Sequence, residues 1–293
     1  MKYIEKHPML MIVVGVLGIS LSAIFVRFSQ APSAVTAAWR LVWTVILLTP
    51  VTLGSRRTRQ ELVTISPRTA ILSVLAGLFL AAHFVLWFES LQHTTVASST
   101  TIVCTEVIWV SLGFCLFLKG RITGKSTLAI AITLSGSVVI ALSDSSSGGS
   151  HLYGDLLALA AAMVEAVYTL LGRTVRKQTS TTVYTYLCYS ACAAVLLVVC
   201  AIQGLGLMDY GYSAVIVGLL LAVFSTILGH SVFAWCLKYF SPSFVSASKL
   251  CEPVAAAVMA LVLFAEVPAL LQVAGGVLIL GGVLYYSRIE KAQ

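Results

Sequence analysis

Residues 143–150 read Ser143-Asp-Ser-Ser-Ser-Gly-Gly-Ser150, the longest low-complexity polar stretch of the chain. A run of Ser and Gly of this kind forms a flexible linker. Its position decides the fold, because five apolar runs lie before it and five after it. Working outward, the runs before it are 9–28, 33–53, 69–91, 95–118 and 126–143, and those after it are 152–172, 182–202, 213–237, 243–264 and 269–287. Each approaches the ~20 residues that a helix needs to cross the hydrocarbon core of a bilayer. Links as short as Gln92 to Thr94 and Ser241 to Pro242 imply tight helical hairpins. An odd number of spans per half starts the second half on the opposite side of the membrane, so two similar halves would be related by a two-fold axis in the membrane plane. The expected fold is all-α and integral to the membrane, with ten transmembrane helices in two inverted five-helix repeats. Those repeats are 9–143 and 152–287, joined by an outer linker at 144–151.

Composition supports the same class. Of 293 residues, 59% are hydrophobic and 10% charged, with a mean hydropathy of +0.99. Soluble domains average about 45–50% apolar and about 25% charged. A secreted disulfide scaffold, a peripherally anchored enzyme and a disordered chain need no such apolar excess. The runs are continuously apolar, whereas barrel strands alternate over about 10 residues. Lys2 and Lys6 precede the first run as in a signal peptide, but its length and the nine spans that follow point to a retained anchor. The seven cysteines lie within apolar stretches and form no C-x-x-C pair, which makes them packing residues.

The net charge of +7 and pI near 9.1 have a topological cause. Lysine and arginine collect on the cytoplasmic side of membrane proteins. With ten spans, one side receives Lys2, Lys6, Arg56, Arg57, Arg59, Arg68, Lys119, Arg121, Lys125, Arg173, Arg176, Lys177, Lys238, Arg288 and Lys291, which is 15 of the 18. Arg27 lies near the outer end of span 1, and Arg40 and Lys249 lie inside spans. Both termini are therefore expected in the cytoplasm of a cell whose plasma (inner) membrane holds a multi-pass protein. The basic loops are brief and lack interleaved aromatics, which argues against a nucleic-acid partner.

A shift of 146 residues superposes the last three spans of each half, pairing Leu91 with Leu237, Glu106 with Glu252, and Leu134-Ser-Gly136 with Leu280-Gly-Gly282. Gly154-Asp-Leu-Leu-Ala-Leu-Ala-Ala-Ala-Met-Val-Glu-Ala-Val-Tyr168, Cys251-Glu-Pro-Val254, Leu278-Ile-Leu-Gly-Gly-Val283 and Ala38-Trp-Arg-Leu41 together resemble the EamA repeat of the drug/metabolite transporter superfamily. The resemblance spans about 9–143 and 152–287. It implies a ten-helix fold and export of small metabolites, amino acids among them. Two departures stand out. The Glu-Pro of span 9 is Glu106-Val107 in span 4, and the Gly-Glu-Arg that follows span 4 in the family is Gly120-Arg121 here.

An ionised side chain at membrane depth costs about 2.5–3.5 kcal/mol on the insertion scale, so each needs a partner or a wet cavity. Arg40, Glu106, Glu165, His230, Lys249 and Glu252 stand out, with His83 and Glu89 as a second group. Glu106 and Glu252 lie near the middles of equivalent spans, where alternating access would place a central substrate or coupling-ion cavity, although each could equally be a structural pair. Lys249 and Glu252, three residues apart, share a helix face and can neutralise each other. Pro253 removes a backbone donor and marks a hinge. Arg40, between Trp39 and Trp43, can grip a carboxylate bidentately, either of a substrate or of a buried glutamate. Glu165, Tyr168 and Thr169 form one stripe, and His83 with Trp87, and His230 with Thr226, add titratable and aromatic surface. Glu89 and His93 make an interfacial pair.

Gly120-Arg-Ile-Thr-Gly124-Lys125-Ser126 has three residues between its glycines where a phosphate-binding loop needs four. No metal or cofactor motif is present, and an enzyme is not expected. The leading reading is a secondary active transporter that exports a small polar metabolite or amino acid, with protons as candidate coupling ions. Membrane lipid is its other partner, and it is a monomer or weak homo-oligomer, Gly275 and Gly282 being candidate packing sites for a second copy. The alternatives are an integral-membrane enzyme acting on lipid and a non-transporting structural or sensory subunit.

Overall fold

The computed structural model describes residues 8–26, 28–94, 99, 102–144, 152–264 and 267–291. Lys2, Lys6, Arg27 and the linker residues 145–151 lie outside this set. Among the described residues every element is helical: α1 (Pro8–Val26), α2 (Ser33–Gly54), α3 (Arg56–Thr64), α4 (Pro67–His93), α5 (Glu106–Leu118), α6 (Gly124–Asp144), α7 (Leu152–Val175) and α8 (Thr181–Ile202). After these come α9 (Tyr212–Cys236), α10 (Pro242–Lys249), α11 (Glu252–Phe264) and α12 (Leu270–Lys291). Seven helices, α1, α2, α4, α7, α8, α9 and α12, are long and apolar enough to cross a membrane. This makes the chain a multi-pass membrane protein.

The helix boundaries have local causes. Ser180 caps α8 by accepting the Val183 amide at 3.3 Å, and Ser241 caps α10 by accepting that of Phe244 at 3.2 Å. Pro242 follows Ser241 at the first helical position, where a missing N–H costs nothing. A glutamate from elsewhere reinforces each cap. Glu61 accepts the Ser180 amide at 2.5 Å, and Glu290 accepts both the Ser241 amide and, at 2.9 Å, its hydroxyl. Lys119, at φ 52°, ends α5, and the Gly120 amide closes onto the Phe114 carbonyl at 3.0 Å.

The chain forms two compact units. One comprises Met1–Val85 and Val167–Tyr239, the other Leu86–Ala166 and Phe240–Gln293, so each draws segments from both sequence halves and the boundaries fall inside α4 and α7. In the first unit α2 lies against α8 and α9, and α1 against the middle of α9. In the second, α6 and α12 form the most extensive pair and α10 lies on α5.

The α6–α12 pair is antiparallel and reciprocal. A Cβ on Gly275 would lie 2.7 Å from the Gly136 carbonyl oxygen, and one on Gly136 would lie 2.6 Å from that of Gly275. Gly282 meets Thr133 and the carbonyl of Ala129. Adding 146 to Gly136 gives Gly282 and subtracting 146 from Gly275 gives Ala129, so the two contacts exchange under the repeat shift. Without a hydrophobic drive between helices in lipid, close backbone approach at small residues supplies the packing. Gly275 and Gly282 are thus used within the chain, where the sequence also allowed a second copy.

Candidate functional site

Two of the expected spans are interrupted. The span expected at 243–264 is two helices, α10 and α11, with turns at Leu250 and Cys251 closed by Leu250 N–H to Ala247 O at 3.2 Å and Cys251 N–H to Ser248 O at 3.1 Å. The span expected at 95–118 has turns at Cys104 and Thr105, after which α5 begins at Glu106. Here Thr105 folds back, its amide and hydroxyl both donating to the Ile102 carbonyl, at 3.0 and 2.6 Å. The breaks obey the repeat shift residue by residue. α5 runs Glu106–Leu118 and α11 runs Glu252–Phe264, each end displaced by 146. Both half-helices open on a glutamate, the charge that a helix N-terminus favours. Pro253 stands at the second position of α11, so the expected hinge is a full interruption that begins upstream of it.

Lys249 stands at the edge of this break. As the last residue of α10, with a side chain 13% exposed, it sends its ammonium to Glu106, at 3.2 and 3.1 Å from the two carboxylate oxygens, and to Glu165 of α7 at 2.8 Å. Ser246, one turn earlier, donates its hydroxyl to Glu106 at 3.0 Å. The sequence predicted the pairing of Lys249 with Glu252. The contacts to Glu106 and Glu165 span 143 and 84 residues and join three helices, which spacing within one span does not announce. Glu106 and Glu165 are 4% and 5% exposed, and Glu252 is half-buried at the head of α11. Two carboxylates sharing one ammonium in apolar surroundings form a charge-assisted triad whose removal piecemeal is costly.

A second group lies in the other unit. Arg40 on α2 is buried, donates from Nε to the Thr226 hydroxyl at 2.7 Å, and holds Cζ 4.7 Å from the ring centroid of Phe84. Thr226 belongs to a π-helical stretch, Leu221–His230, inside α9. The wider turn shows in its hydroxyl bond to Leu221 O at 3.3 Å and the Ser231 hydroxyl bond to Thr226 O at 3.1 Å, each reaching back five residues. Tyr189 meets Ser231 at 3.1 Å. His230 lies edge-on to Phe84 and Tyr168, with ring centroids 6.0 and 6.4 Å away, and His83 is buried 5.4 Å from Phe84. Trp39 and Trp43 hold the flanks, donating to Leu207 O at 3.0 Å and Val215 O at 3.1 Å.

The sequence-derived residues therefore fall into two sets. Arg40, His83, Tyr168 and His230 belong to the first unit, and Trp87, Glu106, Glu165, Lys249 and Glu252, with Pro253, to the second. Trp87 stacks on Phe88 at 5.3 Å. Glu89 and His93 form the expected pair at 3.2 Å, both about half exposed. Ser246 and Phe84 were not anticipated. Ser246 lies three residues before Lys249 on the same helical face, a spacing visible in the sequence, whereas an aromatic partner for Arg40 carries no such signal. Among the described residues no group of three His, Cys, Asp or Glu could hold a metal ion.

The sequence profile of the EamA-like transporter family matches residues 7–142 and 152–288, nearly the whole chain. The chain belongs to the EamA-like transporter family. The EamA family is part of the drug/metabolite transporter superfamily, and at this level the protein is a transporter. An uncharacterized transporter of Clostridium kluyveri is 24% identical over 211 residues, which cover 70% of this chain and 68% of that protein. A solved crystal structure, described only as that of a protein, superposes on 98% of this EamA-like chain and 98% of its own with a TM-score of 0.81 at 17% identity, which is a likeness of fold.

Proposed function

We propose that this EamA-like protein is a secondary active exporter of a small polar metabolite or amino acid, working by alternating access with protons as coupling ions. The reading has ten spans in two inverted repeats, 9–143 and 152–287, in the plasma membrane with both termini cytoplasmic. The observation that carries it is the Lys249 ammonium held by Glu106 and Glu165 at the interruption between α10 and α11. A proton arriving on one carboxylate leaves Lys249 to the other, and the short turn at Leu250 and Cys251 lets the two half-helices respond separately. Interrupted helices whose ends carry charged groups are the means by which many secondary transporters hold substrate and coupling ion. Arg40, His83, Trp87, Tyr168 and His230 are the remaining candidates for substrate contact.

Purified protein in liposomes tests the reading. It should move at least one member of a broad panel of amino acids and polar metabolites under an imposed proton gradient or in counterflow. Failure to move any of them would reject transport, and turnover of lipid in their place would favour the membrane-enzyme alternative over a structural or sensory subunit. For coupling, Glu106→Gln and Glu165→Gln should each flatten the pH profile of flux.

A further inference from the structure

Helix α3 carries a charge pattern that the two polar groups do not use. It lies between α2, which ends at Gly54, and α4, which begins at Pro67, both of membrane-crossing length. One face, Thr58, Glu61 and Leu62, is half-buried. It is fastened through the Thr58 hydroxyl to the Ser55 carbonyl at 3.0 Å and through Glu61 to the amide of Ser180. The other face, Arg56, Arg57, Arg59, Gln60, Val63 and Thr64, is exposed, and exposed Arg68 follows at the start of α4. Among the described residues none of these four arginines has an ion pair, and Glu61, the acidic residue of α3, is turned to Ser180. Val63 is 85% exposed among them.

We propose that α3 is a docking surface for anionic phospholipid headgroups in the leaflet where α2 ends and α4 begins. Guanidinium groups bind phosphate bidentately, and a basic amphipathic helix joined directly to membrane-spanning helices sits at headgroup depth. An apolar side chain exposed among arginines fits a lipid, whose acyl chains begin beside its phosphate, better than free phosphate. Glu61 ties whatever α3 binds to the N-terminus of α8. The proposal is independent of which solute is moved.

The test uses the full chain in nanodiscs of phosphatidylcholine with about one-third phosphatidylglycerol, a composition chosen for its surface charge. Retained lipids are counted by native mass spectrometry. Each arginine near an anionic surface adds about fivefold in binding. The wild type should therefore retain phosphatidylglycerol well above its bulk share, and high salt should erase the excess. The fourfold variant R56Q/R57Q/R59Q/R68Q should lose at least about tenfold of that preference, and more of it than K119Q/R121Q/K125Q, in a basic loop that forms no amphipathic helix. If the fourfold variant does not fold, the single variants Arg57→Gln and Arg59→Gln, each expected to lose about fivefold, decide the matter. Bulk-ratio retention by the wild type, or full preference in the α3 variants, overturns the proposal. So does a rise in thermal midpoint on adding inorganic phosphate in pure phosphatidylcholine discs that the fourfold variant lacks, which would assign the surface to free phosphate.

Discussion

At the scale of single residues, the cost of each buried charge follows from its partners. Lys249→Met would leave Glu106 and Glu165 without their shared ammonium, and breaking one partner out of a buried ion group costs about 3–5 kcal/mol. Adding Glu165→Gln should restore part of that loss, which a double-mutant cycle by denaturation in mild detergent measures. Arg176 shows how much of a residue's role a charge count leaves out. It belongs to the basic loops by sign, yet it is 4% exposed, donates to Ala234 O at 3.1 Å and to Thr179 O, and burial lowers its guanidinium pKa from the usual value. Arg176→Met should lower stability by about 2–3 kcal/mol, the scale of charged hydrogen bonds lost at buried carbonyls. An unchanged midpoint would show that those carbonyls find other donors. The charged residues at depth were legible because the apolar background isolates them. Their partners were not, since the Lys249 contacts depend on three helices converging.

At the scale of elements, the two helix interruptions and the close α6–α12 pair make opposite demands. Gly275→Ala and Gly136→Ala place a Cβ against facing backbone at 2.7 and 2.6 Å, so each must push α6 and α12 apart and destabilise the protein. Gly281→Ala, with open space around its Cβ, should instead stabilise by up to about 1 kcal/mol through helix propensity. Thermal midpoints of the three variants separate the cases, and a neutral Gly275→Ala would contradict the packing described. Pro253→Ala should leave the α10–α11 interruption in place and shift stability by under about 0.5 kcal/mol, because proline at the second helical position costs no hydrogen bond. The sequence pointed to the second break through Glu-Pro but not to its counterpart. Val107 gives no signal, and the fold-back of Thr105 onto Ile102 is a local bond that many threonines could make. Nor did it announce α3, whose strongly basic residues read as a loop, or the π turn in α9, which contains no proline.

At the scale of the molecule, the apolar runs and the family resemblance were legible because membrane burial writes itself into composition. What the sequence halves do not reveal is that each compact unit takes segments from both, since that depends on which helices meet. The orientation reading predicts that a fluorescent protein fused after Gln293 folds and fluoresces in the bacterial cytoplasm while a periplasmic phosphatase fused there stays inactive, and the reverse pattern would invert the topology. The central claim, that the Lys249 triad couples proton movement to transport, meets its most direct test in proteoliposome flux under an imposed pH gradient. The wild type should move its solute at a rate that follows the gradient, and Glu106→Gln and Glu165→Gln should retain gradient-free counterflow while losing that dependence. Gradient-driven flux that survives unchanged in both variants would contradict it.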